Sequence, residues 1–164
     1  MAGDIFYKER TIVTVQDRTN TTTFANGTGL LAATANMDVR SGGNFADDFA
    51  ALFWLTCRWA TITGITKGTV IAELYLVPTP DGTTIPDVDL TAGTSAISPT
   101  SFGGLFIASK APTANTDALF NSGVVPVFPV LYKAYLINRS GQSVTVTSGT
   151  SWQLQAISVR EQYT

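Results

Sequence analysis

No histidine occurs anywhere in the 164 residues. That absence removes the commonest general base, every Ser-His-Asp arrangement and every imidazole metal site. A single cysteine, Cys57, excludes an internal disulfide and says little about redox compartment. Charge is scarce: 13% of residues are Asp, Glu, Lys or Arg, where soluble domains carry about 25%. Ten basic residues against twelve acidic ones give a net charge of −2. With no basic excess to neutralise phosphates, nucleic acid is not an expected partner. The longest uninterrupted apolar run, Phe49–Leu55, is too short to cross a bilayer, so no membrane partner is expected. The start turns acidic at Asp4 and then runs Lys8-Glu9-Arg10, with no apolar leader. These features predict a protein made soluble in a cytoplasm, where Asn26-Gly27-Thr28 is a turn and not a glycan site. No phosphate loop is present, because Gly42-Gly43 and Gly103-Gly104 lack a following Lys-Ser/Thr.

The residues that are present point to strands. The chain is 45% hydrophobic, and its length suits one domain able to bury a core without staples. Low charge with abundant Thr and Gly fits many strands joined by small-residue turns. It also fits a surface partly covered by neighbours, since subunits of an assembly need fewer solubilising charges.

The pattern is clearest over Leu52–Thr63 and Thr69–Val77, two apolar segments around Gly64-Ile65-Thr66-Lys67-Gly68. This reads as a β-hairpin. Pairing Thr63 with Gly68 places Arg58 opposite Glu73, Thr56 opposite Tyr75 and Trp54 opposite Val77. The other face then collects Leu55, Cys57 and Trp59 against Ala72, Leu74 and Leu76, a wholly apolar surface for a core.

In chain order, residues 1–10 read as an N-terminal arm and 11–164 as a single β-sandwich domain. Thr11–Val15 is the first clear strand. Asp17–Phe24 reads as a loop leading to a short edge strand. Gly27–Met37 fits a weak helix or a small-residue strand, with strand preferred. Arg40-Ser41-Gly42-Gly43 is a turn. Asn44–Ala51 is expected to make one or two helical turns, with Asn44 capping, Asp47-Asp48 solvated at the start, and Phe45 and Phe49 on one face. Pro78-Thr79-Pro80-Asp81-Gly82 ends a strand in a Pro-Asp-Gly turn. Thr83–Ser101 is a connection long enough to be functional or to touch a neighbour. Phe102–Ser109 is a strand, Thr116–Phe120 a turn of helix, and Val124–Phe128, interrupted by Pro126 and followed by Pro129, an edge or a strand entrance. Val130–Asn138, Ser143–Thr147 and Ser151–Val159 read as a three-strand run, with Ile137 and Tyr135 opposite Val144 and Val146. The predicted fold is all-β: a two-sheet antiparallel sandwich, jelly-roll-like, with one or two short helical turns.

Catalytic equipment is thin. Cys57 falls on the apolar face and reads as a buried hydrophobe. The three glutamates are Glu9, Glu73 and Glu161. Glu73 is more simply an ion-pair partner of Arg58 than one of two glycosidase carboxylates. Asp81, Asp87 and Asp89 crowd one loop and are the weak candidate for a metal, although the spacing is not that of an EF-hand. Trp54, Tyr75 and Arg58 share the more polar strand face and would form an aromatic platform for sugar or protein if exposed. No catalytic residue and no cofactor is expected.

Three stretches resemble tailed-bacteriophage virion structural proteins. One is Ala72-Glu73-Leu74-Tyr75-Leu76-Val77-Pro78 leading into Pro80-Asp81-Gly82-Thr83 and Pro86-Asp87. The second is Phe128, Lys133-Ala134-Tyr135-Leu136-Ile137-Asn138 and Ser140-Gly141-Gln142-Ser143. The last is Arg160-Glu161-Gln162-Tyr163. The likeness runs from near Leu52 to the end. It implies a jelly-roll-like, non-enzymatic subunit located in the virion, made in the host cytoplasm and present in many copies. A capsid decoration (cement) role is implied first, with contacts to the major capsid or another virion protein and to its own copies, as a homo-oligomer, often a trimer. The alternative is a tail, neck or fibre-associated adhesin binding a host glycan or receptor. Expected contact segments are residues 1–10, Pro78–Pro99 and Ala111–Gly123.

Overall fold

The computed structural model describes residues 5–9, 12–16, 23–31, 36–46, 48–84, 102–144 and 151–163. Its strands are β1 (Ile5–Glu9), β2 (Val13–Gln16), β3 (Gly29–Leu31), β4 (Met37–Asp38), β5 (Asp48–Arg58), β6 (Val70–Thr79), β7 (Phe102–Ile107), β8 (Ala118–Pro126), β9 (Leu131–Asn138) and β10 (Ser151–Tyr163). They form two five-stranded sheets. One runs β1-β10-β5-β8 with β2 also on β10; the other runs β3-β9-β6-β7 with β4 also on β9. All of these strand pairs are antiparallel. The all-β two-sheet architecture is the one expected.

The core lies between the sheets, as the alternation requires. Phe53, Leu55 and Cys57 of β5 and Trp152, Leu154 and Ala156 of β10 point inward from one side. Ala72, Leu74 and Leu76 of β6 and Ala134 and Leu136 of β9 point inward from the other. Phe24 stacks on Trp152 with ring centroids 4.9 Å apart.

The central hairpin is not formed. β5 lies between β10 and β8, whereas β6 lies between β9 and β7 in the opposite sheet. The connection Trp59–Thr69 crosses the sandwich, with Trp59 and Ile65 buried along the way. Its backbone bonds go elsewhere: Gly68 N donates to Ala108 O, Ala108 N to Thr69 O, and Asn115 N to Trp59 O. The apolar faces were correctly assigned, but they meet across the core at sheet-packing distance rather than side by side in one sheet. Binary patterning is the same in both cases. Arg58 therefore faces Asp117 (2.9 Å) and Glu73 faces Arg139 (2.9 Å), not each other.

The same correction applies to the C-terminal run. β9 and β10 are in different sheets. Ile137 pairs with Gly29 and Glu73. Val144 exchanges both backbone bonds with Phe24. Val146 lies outside the described residues.

No helix occurs among the described residues. Residues 44–46 are a turn leading into β5, and Ala118 opens β8 where a helical turn was expected. Phe45 is fully buried while Phe49 is 42% exposed, so their four-residue spacing marks no common face. Asp48, expected in solvent, is buried and accepts from Ser158 Oγ. Asp47 lies outside the described residues. Residues 5–9 pair with the end of β10.

Candidate interaction face

β7 and β8 end their respective sheets, and together they close one side of the sandwich. Gly104 makes this closure possible, and Gly103 makes room for the core beside it. A Cβ on Gly103 would crowd Leu74 and Leu76 at 3.2–3.3 Å, and one on Gly104 would sit 3.0 Å from Ser122 O. Gly104 also has φ 149°, a conformation side chains rarely adopt. Gly104 thus lets two sheet edges touch, while Gly103 leaves room for the β6 leucines behind it. Across from it, β8 is bulged opposite Phe53. Ser122 Oγ fills the gap by accepting from Phe53 N, and Gly123 takes φ 73°.

Two shallow clefts flank the Gly104–Ser122 contact. One, of about 240 Å³, is lined by residues including Leu76, Phe102, Val124, Phe128 and Tyr132. The other, of about 410 Å³, is lined by residues including Leu105, Ile107, Leu119, Phe120 and Asn121. Neither is lined by Asp, Glu, Lys or Arg. Large apolar side chains stand exposed along the seam: Phe102, Ile107, Leu119, Val124 and Phe128. Among the described residues, none that line these two clefts is a carboxylic acid or a basic side chain able to move a proton.

The residues singled out from sequence are scattered. Trp54 is half-buried in one sheet, and Tyr75 is in the other. Tyr75 packs edge-on against Phe102, with centroids 5.6 Å apart, and donates to Glu73 Oε2. Burial and the neighbouring Glu73 carboxylate push its phenol up from the ordinary range. Trp59 and Trp152 are buried, so neither lines a groove. Cys57 is buried.

Asp81 closes the turn after β6. Its Oδ1 accepts from the backbone N–H groups of Thr83 and Thr84, and its Oδ2 from Thr84 Oγ1. These donors, the Thr84 N–H first, hold its carboxyl far below the usual carboxylate range. Asp87 and Asp89 lie outside the described residues. Among the described residues, no group of three or more His, Cys, Asp or Glu is placed to hold a metal ion. Asp38 is likewise held low, by the side chain of Arg40 at 2.8 Å.

The seam is only half legible in sequence, because part of its signal is an absence. Residues 102–109 and 118–130 contain no charged residue at all, although both segments include strand-forming residues. Edge strands usually carry such charges.

No protein-family model matches the chain, and a comparison with curated proteins gives no match. Among solved structures it is similar to the VP2 subviral particle of infectious bursal disease virus, at TM-score 0.41 and 13% identity over 96% of this chain and 33% of that one. T=1 particles derived from the same virus give TM-score 0.42 and 15% identity over 96% and 32%. The chain spans about a third of the length of these structures. Likeness at this level carries no conclusion about what the chain does.

Proposed function

We propose that the chain is a non-enzymatic virion structural protein, and within that class a capsid decoration protein of a tailed phage. It binds the particle surface and neighbouring copies. The observation that carries this reading is the charge-free apolar seam on a sandwich of paired strands: a surface suited to being covered. The resemblance noted above supports it. Two of its three stretches lie on strands that pair with each other, with Ala72 opposite Asn138 and Val77 opposite Lys133. The glycan-binding alternative needs Trp54, Trp59 or Trp152 exposed in a groove, and it is weakened because Trp59 and Trp152 are buried and Trp54 is half-buried. Of the expected contact segments, Pro78–Pro99 and Ala111–Gly123 remain the proposed reach toward other subunits, and β8 begins within the latter, whereas residues 5–9 of the expected arm 1–10 are paired with β10 in the sheet.

Quantitative mass spectrometry of purified particles tests the reading. A stoichiometric copy number on intact capsids, and its loss after mild stripping with reduced particle stability, is the expected result. Absence of the chain from particles overturns it.

A further inference from the structure

We propose that the β7–β8 seam is the face through which two copies of this chain associate. The proposal rests on the reading of a multi-copy subunit and names the surface its copies share.

Area comes first. Five side chains stand out along the seam: Phe102 is 49% exposed, Ile107 47%, Leu119 63%, Val124 74% and Phe128 67%. At about 150–200 Å² per large apolar side chain, these fractions leave roughly 500 Å² of apolar surface per copy. That is at the upper end of what soluble monomers expose, about 300–600 Å². Two copies bring about 1,000 Å² together, and a polar rim carries the total into the roughly 1,200–2,000 Å² of a stable interface.

Charge selects the occupant. Residues 102–109 and 118–130 hold no Asp, Glu, Lys or Arg. The charges that border the seam, Lys110 and Asp117, lie at its Leu119 end, with Asp117 paired to Arg58 at 2.9 Å, so a charged partner finds little to pair with. A second copy meets no like-charge repulsion. Among the described residues, β7 pairs only with β6, and β8 only with β5. Monomeric proteins guard such edges with lysine or inward charges, and here only the bulge at Gly123 and Pro126 interrupt them. β7 and β8 meet edge to edge at Gly104 and Ser122, so what the seam offers a second copy is its row of apolar side chains.

Analytical ultracentrifugation of the full chain, beside the double variant Leu119→Lys/Val124→Glu, tests this. Both positions are well exposed, so the variant is expected to melt at an unchanged temperature. The wild type is expected to self-associate at micromolar concentration, and the variant at least 100-fold more weakly. In a second measurement, Val124→Cys is expected to form dimers with a short bis-maleimide and Ser41→Cys none, Cys57 being buried. A monomeric wild type, or association that the variant leaves intact, overturns the proposal. A monomeric wild type still stoichiometric on particles overturns the seam pairing alone. Seam-dependent association of a chain missing from particles supports the pairing and overturns the virion reading. If the wild type is monomeric and only the variant is lost from particles, another virion protein occupies the seam and the second copy is ruled out.

Discussion

Replacing Asn138 by alanine should cost more than any surface substitution in this protein. Its side chain, 1% exposed at the end of β9, makes four hydrogen bonds. Nδ2 donates to Phe24 O at 2.8 Å and to Gln142 O at 2.7 Å. Oδ1 accepts from Ser140 N at 2.9 Å and Ser140 Oγ at 2.7 Å. The amide thus ties β9 to the Phe24 segment and to its own following turn. In the alanine variant, Phe24 O keeps Val144 N, and the single Ser140 hydroxyl proton, no longer drawn to Asn138 Oδ1, goes to Gln142 O, so the carbonyls are not stranded. The buried Ser140 N–H is stranded. Leaving it so costs about 1–3 kcal/mol, and the remaining bonds add about 1 kcal/mol each at most. The expected loss is about 3 kcal/mol, which for a domain of this size lowers Tm by roughly 6–12 °C.

Asn138→Asp sharpens the test because volume is kept. The new carboxylate still accepts from Ser140 but sets an oxygen against two carbonyls where an amide donated. Burial and those carbonyls raise its folded pKa above the unfolded value of about 3.9. The variant's stability is then fully present below that unfolded value and is lost as pH rises through the folded pKa. Thermal denaturation followed by circular dichroism at pH 7 and near pH 4 reads both effects. The reasoning fails if Asn138→Ala costs less than about 1 kcal/mol, or if Asn138→Asp matches wild type at pH 7.

Three further outcomes follow from the structure. Gly29→Ala places a Cβ against the Tyr135 hydroxyl and ring; overpacking should cost about 1–3 kcal/mol, measured by urea denaturation. Asp81 contributes stability present above about pH 4 and lost as pH falls through its depressed folded pKa, so Asp81→Asn should flatten the fall in Tm between pH 4 and about 2. Cys57 is fully buried, so an aromatic disulfide reagent should label it only on unfolding, and fast stoichiometric labelling of the folded chain would contradict the packing.

Particular residues show what was legible in the chain and what was not. The alternation of Phe53, Leu55 and Cys57, and of Ala72, Leu74 and Leu76, identified strands and their buried faces. The turns at Gly42 and Gly82 were legible because left-handed φ values of 85° and 81° favour glycine. The helical turn over Asn44–Ala51 was misread because Phe45 and Phe49 mimic a helical spacing while belonging to a turn and a strand. The interaction face was only half legible. Ala111–Gly123 was marked as a contact segment, but the exposure of Phe102 and Ile107 follows from the place of β7 at a sheet edge, which no local pattern encodes.

Period-two patterning specifies which side of a strand is apolar, and it does so from neighbours along the chain alone. It does not specify whether two apolar sides meet as cross-strand neighbours or across the gap between sheets, because both arrangements bury the same atoms. That choice was made by long-range contacts. Trp59 and Ile65 are buried in the connection that crosses the core, Gly104 lets the edges close, and β10 inserts beside β5. Strands, faces and turns were therefore settled by local chemistry, and partners, edges and the exposed seam by packing among segments far apart in the chain.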